Sequence, residues 1–591
     1  MVGSEGAGGP TTVFAARAGA DVLIASKGKI SKCGASQMAG ADFNLDGESA
    51  LEIGLPGDGR DSPRRFFEDL VREGFYLGNQ KIVEKYVEYA AKNTADLLEW
   101  GMPVYRFEQV HAEEMARGLI SSGVKWVRAI RRQVKEMNIP ILEDTMVVDL
   151  LTREGRVIGA MALDLKTGEI VLIKAKAVVL CTGGWQQAYH FSTASTDLTG
   201  DGQAMAYRAG AELLGMEMVQ YAPMTMLWPP IARKSIIPYI LCETEAGPLI
   251  QLLNSDGERF MERYDPSTME QGTKEIVAIG TELEVEAGRG SPHGGAFFAL
   301  KHLTPDGVDF IAGKYREFLD ENSDKRSEFR TLLPYLLERS KIEDLEVGNA
   351  AHFMAGGIKV NELTETTILG LYAAGECSGG LLGSVRVASA CTQVSAQGRI
   401  AGEVAPTYMR EVGHLEPDLS QLEEIYGRIM RPLESGDGVP PLDLLRRVHS
   451  LTAECLKVIK GGEGLRKAQR ELAGMRKDEA PRLHVSASGT RRLNYEWELS
   501  LELPKMLLCL EMYSLGCLMR EESRGVHYRG DFPQTDNDRW CVNIVYSNRG
   551  GEAETSFEEP VVTTLRPPTG KTSFNQAVES ATASLKRRGV E

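Results

Sequence analysis

The stretch Val2-Gly3-Ser4-Glu5-Gly6-Ala7-Gly8-Gly9, with Ala20-Asp21-Val22-Leu23-Ile24-Ala25 after it, decides how the fold is read. Its glycines mark a turn between a strand and a helix, where backbone N–H groups and the helix N-terminus can hold a pyrophosphate. A helix is expected over Thr11 to Ala18, and the run to Ala25 reads as a second buried parallel strand, a β-α-β opening. Glu5 stands where G-x-G-x-x-G has its second glycine, although Gly6 beside it still lets the backbone approach phosphates. Only Met1 and Val2 precede Gly3, so the first strand is clipped relative to the usual five or so residues. Alone, the turn fits any tight glycine turn before a helix; the strand that follows favours a dinucleotide site. The acidic residue that usually binds ribose after that strand is replaced by Ser26-Lys27-Gly28-Lys29.

Working outward, 591 residues exceed what one hydrophobic core serves, so two to four domains are expected. No apolar run reaches the roughly 18 residues that cross a bilayer, and no secretory signal opens the chain, which reads as cytoplasmic. The nine cysteines are never spaced Cys-x-x-Cys, which argues against disulfides, zinc or an iron–sulfur cluster in this chain; a cluster would belong to a partner. A formal charge of −16 and the lack of a basic stripe exclude nucleic acid as a ligand. Residues about 61 to 137 read as a helical insertion, Thr145 to Leu180 as a strand meander, about 222 to 345 as mixed strands and helices, and about 418 to 520 as helical with a break at Pro440-Pro441. The segment after 565 reads as a polar, poorly ordered tail.

Further blocks complete a pattern along nearly the whole chain. They are Lys32-Cys33-Gly34-Ala35-Ser36-Gln37-Met38-Ala39-Gly40; Leu180-Cys181-Thr182-Gly183-Gly184; Thr199-Gly200-Asp201-Gly202 through Ala211 to Met216-Glu217-Met218-Val219-Gln220; Gly370-Leu371-Tyr372-Ala373-Ala374-Gly375-Glu376; and Arg520-Glu521-Glu522-Ser523-Arg524-Gly525 with His527-Tyr528-Arg529 and Asp531-Phe532-Pro533. In this order they resemble the fumarate reductase and succinate dehydrogenase flavoprotein family, to which L-aspartate oxidase and the adenylylsulfate reductase flavoprotein are related. The resemblance implies an α/β fold: a Rossmann-like FAD-binding domain from 1–221 and 346–415, an inserted α+β capping domain at 222–345, a C-terminal helical domain at 416–565 and the polar tail at 566–591. It implies FAD held by Gly3, Ser4, Gly6, Ala7 and Gly8 at the turn, by Ser26 and Lys27 around the adenosine half, and by Gly34, Ala35 and Ser36 facing the flavin. Thr182, Gly183, Gly184 and Asp201 follow as further FAD contacts, with Glu376 on ribose hydroxyls. Several respiratory members carry a flavin-bonded histidine where this chain has Gly34, so noncovalent FAD is expected.

The same resemblance locates a substrate site. His352-Phe353-Met354-Ala355-Gly356-Gly357 matches the family's His-x-x-x-Gly-Gly motif and gives His352 a substrate-binding role; Gly383-Ser384-Val385-Arg386 matches the stretch that supplies a substrate-clamping arginine, Arg386. Two positions depart. Tyr221-Ala222-Pro223-Met224-Thr225 has Ala222 where the family has a histidine, and Lys274 falls at the place of its proton-donating arginine. A lysine carries a proton but lacks the planar fork of arginine. The plainer alternatives are a solvated helix lysine, a surface arginine and a structural histidine. The departures argue against fumarate or succinate and open space for a larger or less charged substrate. The function expected is an FAD-dependent oxidoreductase subunit passing electrons between an anionic organic substrate and an iron–sulfur partner within a multi-subunit complex. Open alternatives are an electron-transfer flavoprotein without its own turnover, an adenylylsulfate reductase-like flavoprotein and, last, a flavoenzyme served by NAD(P)H.

Overall fold

The computed structural model describes the chain except for residues 41, 109–114, 243–245, 322–326, 341–342, 386–389, 488 and 583–591, and except for the side chains of 314–331 and 333. The opening turn sits at the centre of a short parallel sheet. Val2 bridges Leu180 on one side and Ala25 on the other, Ile24–Ala25 pairs with Ile141–Leu142, and Val178–Leu180 pairs with Leu371–Ala373. The clipped first strand is thus one bridging residue, and the second pairs only at Ile24–Ala25 because the chain from Ala20 to Leu23 is still returning from the helix Gly8–Arg17. That helix packs on Ala390–Glu411, its buried face running from Gly8 to Ala15.

The meander forms as read, with strands Thr145–Arg153, Arg156–Asp164 and Ile170–Lys174 in antiparallel order. The region 61–137 departs from a purely helical insertion. Pro63–Glu73, Gln80–Glu99 and Gly123–Glu136 are helices, but Arg106–Glu108 and Gly118–Ile120 form a small sheet with Asp42–Asn44. Gly101, left-handed at φ 82, and Pro103 end the long helix there and free the chain for strand pairing.

Strands Val219–Trp228 and Leu345–Met354 pair along their length, and the proposed division at 222 and 345 falls within them. The chain therefore leaves for the capping part and returns from it side by side. Beyond Ala390–Glu411, the helices Leu419–Glu434, Pro441–Cys455, Gly462–Gly474 and Tyr495–Met519 follow. The C-terminal part is not helical throughout: Asn543–Arg549 and Glu552–Glu558 extend the sheet containing Leu213–Leu214, Gly357–Lys359 and Ser378–Gly379. Arg520, buried on the far side of that junction, bonds Glu217 and Glu522 at 3.0 Å and the carbonyls of Trp540 and Val542 at 2.9 and 2.7 Å.

The expected polar tail is also corrected. Lys571–Ser573 pairs with Gln534–Asp536, and Phe574–Ala581 is a helix capped by Ser573 and Gln576. Its Phe574, Val578 and Ala581 repeat at helical spacing and are buried, an apolar stripe too short to stand out in the sequence.

Candidate functional site

One cavity of about 460 Å3 joins most of the residues singled out in the sequence. Gly3, Ser4, Glu5, Gly6 and Ala7 line it with Ser26, Lys27, Gly34, Ala35, Ser36, Thr182, Gly183, Asp201 and Glu376; Ala222, Lys274, His352 and Phe353 line it too. Gly8 and Gly184 stand behind this wall, Gly8 as the first residue of the helix and Gly184 against the Glu376 carboxylate. Arg386 lies outside the described residues; Val385 before it is buried, and Ser384 O accepts the N–H of Val526 at 3.0 Å.

The turn is built from local necessity. Gly3 has φ 99, and a Cβ there would run into the Cys181 carbonyl. Ser4 and Ser26 share a hydrogen bond of 2.9 Å, and Gly6 N donates to Ser36 Oγ at 3.1 Å, so the turn, the residue after the second strand and the segment Gly34 to Ser36 are tied together. Lys27 and Asp201 line the cavity, but each is engaged by the other at 3.1 Å, Lys27 also pairing with Glu502 and Asp201 with Lys505. Burial opposes both charges, yet the opposite charges win: Lys27 is held above the usual lysine range and Asp201 below the usual carboxylate range.

Glu5 is the side chain whose role the motif hides. Its Oε1 accepts the N–H of Ser31 at 2.7 Å, its Oε2 is buried without a hydrogen-bond partner among the described residues, and burial pushes its carboxyl up to about 8. A Cβ placed on Gly34, which is left-handed at φ 69, would lie 3.3 Å from Glu5 Cγ. The two departures from the family's pattern in this region, Glu5 and Gly34, are therefore neighbours: the glutamate occupies the space into which a side chain at position 34 would project.

Around the substrate positions, Thr193 Oγ1 and His352 Nδ1 share a hydrogen bond of 2.8 Å. Gln186 Nε2 donates to the His352 carbonyl at 3.1 Å and also to Glu376, which in turn accepts the Met354 N–H at 3.0 Å. Lys274 opens the helix Lys274–Glu286, is 9% exposed, and sets its ammonium 4.6 Å from the centre of the Tyr239 ring. Ala222 is buried in a strand that bulges between Ala222 and Thr225, with Met224 at φ 52. Lys234, Tyr239 and Asp197 also line the cavity; no motif announces them.

Compared with known proteins, residues 1–392 match the FAD binding domain family and residues 446–573 the fumarate reductase flavoprotein C-terminal family. One chain of the fumarate reductase (CoM/CoB) of Methanothermobacter marburgensis is 30% identical over 93% of this chain and 96% of its own length. The chain belongs to the fumarate reductase and succinate dehydrogenase flavoprotein family. An uncharacterized FAD-dependent oxidoreductase of Methanocaldococcus jannaschii is 32% identical over 90% of this chain and 92% of its own. The fold agrees with E. coli quinol fumarate reductase FrdA at a TM-score of 0.83, with 23% identity over 96% of this chain and 97% of that one. It also agrees with adenylylsulfate reductase from Archaeoglobus fulgidus at 0.75, with 18% identity over 95% of each chain.

The flavoprotein is an FAD-dependent oxidoreductase, and its α/β fold is that of the family. No described helix is long and apolar enough to cross a membrane. The residues present fit FAD: the glycine turn has no room for side chains, and Glu5 Oε2 is an orphaned buried polar atom beside it. Glu5 is expected to make cofactor retention sensitive to pH. Because its folded value exceeds the unfolded carboxylate value near 4.3, the folded protein binds the proton more tightly, and stability falls as pH rises from about 4.3 to about 8. An ionised Glu5 would also repel a pyrophosphate. FAD affinity of the wild type is expected to weaken toward pH 8 and above, and Glu5→Gln to flatten the dependence. Fluorescence titration of FAD into apoprotein at pH 6 and pH 9 measures it; parallel pH profiles for both proteins would remove Glu5 from the account.

Proposed function

We propose that the flavoprotein transfers two electrons between an anionic organic substrate and an iron–sulfur partner, with FAD held noncovalently. The observation that carries the reading is the single cavity that joins the dinucleotide turn to Lys274 and His352. Gly3, Ser4, Gly6, Ala7 and Gly8 would hold the pyrophosphate, Ser26 and Lys27 with Asp201 would shape the adenosine side, and Glu376 with Thr182, Gly183 and Gly184 would close over the cofactor beside Gly34, Ala35 and Ser36. FAD, when bound, supplies the two-electron redox chemistry. The chain's own groups do the rest: His352, oriented by Thr193, hydrogen-bonds the substrate, Arg386 clamps its anionic group, and Lys274 holds the proton at Nζ.

Ala222 offers no hydrogen bond at a position lining the cavity, which favours a substrate other than fumarate or succinate. The partner is proposed from the family, whose flavoproteins are expected to pass electrons to an iron–sulfur subunit, and from the likeness in fold to quinol fumarate reductase FrdA. Anaerobic holoprotein mixed with a panel of carboxylates, enoates and thiols tests the reading: a member that bleaches or reoxidises the flavin is expected, and silence across the panel removes substrate turnover and leaves a flavoprotein that only relays electrons.

Gly34 has no ring nitrogen to bond the flavin, so acid precipitation is expected to release all of the yellow colour into the supernatant. Flavin retained in the pellet would contradict the noncovalent assignment and direct attention to Cys33, whose thiol burial pushes up to about 12 and so leaves little of it as a nucleophile.

A further inference from the structure

The cavity opens to solvent beside a basic group that the reaction as proposed does not use. Residues 227–234 form a loop closed by two backbone bonds, Met226 N to Ser235 O at 2.8 Å and Lys234 N to Met226 O at 2.9 Å. Lys234 sits at its end with φ 72, a conformation that a lysine adopts only when its surroundings impose it. The loop is pinned on both flanks: Trp228 stacks on His293 with ring centres 4.8 Å apart, and the Arg233 guanidinium lies 5.4 Å from the Phe191 ring centre and 3.4 Å from His190 Nε2. This holds Lys234 in the wall of the cavity while its side chain remains exposed.

Around it the charge is one-sided. Arg233, His190 and His449 cluster with Lys234, and neither Arg233 nor Lys234 has an ion pair among the described residues. Burial of part of its stem first, and then the neighbouring Arg233, holds Lys234 below the usual lysine range; His190 is lowered chiefly by burial, with Arg233 and Lys234 adding to it, and His449 chiefly by burial, with His190 and Lys234 adding to it. A protein that keeps unpaired cations together at a cavity mouth has a site for an anion. After Lys234, Ser235, Ile236, Tyr239 and Ile240 line the cavity, and the Tyr239 ring reaches the Lys274 ammonium, so an apolar stretch joins the two lysines, with Ala222 and Phe353 also in the lining and Thr193 and Asp197 among its polar members.

We propose that Lys234, with Arg233 behind it outside the cavity lining, forms a second anion-binding position, so that the site takes a substrate with negative charge at both ends of an apolar body longer than a four-carbon dicarboxylate. The inner charge meets His352 beside the proton donor Lys274; the outer one meets Lys234. This rests on the reading that substrate binds beside Lys274, and it adds the substrate's length and charge pattern.

The test reads binding, not turnover. FAD-loaded protein is titrated with succinate, adipate, suberate and octanoate while the flavin absorbance band is followed. Suberate is expected to bind about tenfold more tightly than either succinate or octanoate. Lys234→Gln should weaken suberate by about tenfold and leave succinate and octanoate within about twofold, and Lys234→Arg should restore suberate. Succinate binding more tightly than suberate, no response to suberate, or a Lys234→Gln variant in which all ligands weaken equally or suberate is unaffected would each overturn the proposal. The wider reading fails separately: a panel that never changes the flavin's redox state removes turnover even where the length preference holds, and bleaching without a length preference removes only the second position.

Discussion

Lys274→Met is expected to lower kcat by about 10²- to 10⁴-fold, the range that general-acid help supplies, with KM changed only a few-fold. A cation at the first residue of a helix opposes the positive end of the helix dipole, yet this lysine is buried there, with the Tyr239 ring face offsetting part of the cost. A fold indifferent to that ammonium would place a carboxylate at the position. Methionine keeps about the length and the apolar stem and removes the ammonium with its charge and its protons. Arg386→Ala should behave differently: a planar fork that grips an anion acts on ground and transition state alike, so KM should rise more than kcat falls. Steady-state constants for both variants with the true substrate decide the matter, and an unchanged kcat in Lys274→Met returns that lysine to a structural role.

The second large effect falls on stability. Arg520→Met is expected to cost about 3–5 kcal/mol, because it leaves Glu217 as a buried carboxylate without a guanidinium, while Glu522 keeps only Arg524 at 2.7 Å. Arg520, Glu217 and Glu522 are all fully enclosed, and Glu217 also accepts from the Tyr546 hydroxyl at 3.2 Å. Removing the acid as well, in Glu217→Leu with Arg520→Met, should recover part of the loss, since an apolar pair needs no compensation. Urea unfolding followed by fluorescence measures it through the shift in midpoint at constant slope. A loss below about 1 kcal/mol would mean that water reaches the cluster.

Much of this was legible in the residues. The glycine turn, the meander and the helices after Pro441 are set by local chemistry, and the long motif blocks pointed to the family. What stayed hidden depends on distant pairing. Val2 alone could not reveal that it lies between Leu180 and Ala25, and nothing near Asn543–Arg549 marks it as an edge for Leu213–Leu214. The strands at 106–108 and 118–120 were lost among good helix formers because their partner is Asp42–Asn44. In the site, Glu5 read as a blemish in a motif, and only the folded chain brings it against Gly34. Lys27 and Asp201 were expected to face the cofactor, but their pairing with Glu502 and Lys505 comes from the helix Tyr495–Met519, far along the chain from both, which no spacing rule reaches.

The side-by-side strands Val219–Trp228 and Leu345–Met354 have an evolutionary reading. Trp228 and Glu346 are cross-strand partners, so the whole stretch between them enters and leaves through neighbouring positions, like a drawer set into a frame. A lineage can exchange or remodel such an insert without moving the ends of the frame that carry the dinucleotide turn. Lys234, Tyr239 and Lys274 travel with the drawer, while His352 and the residues around Glu376 stay with the frame. On the proposed roles, part of the substrate site, Lys234 and Lys274, is then carried on a separable piece of the chain, while His352 stays beside the dinucleotide turn.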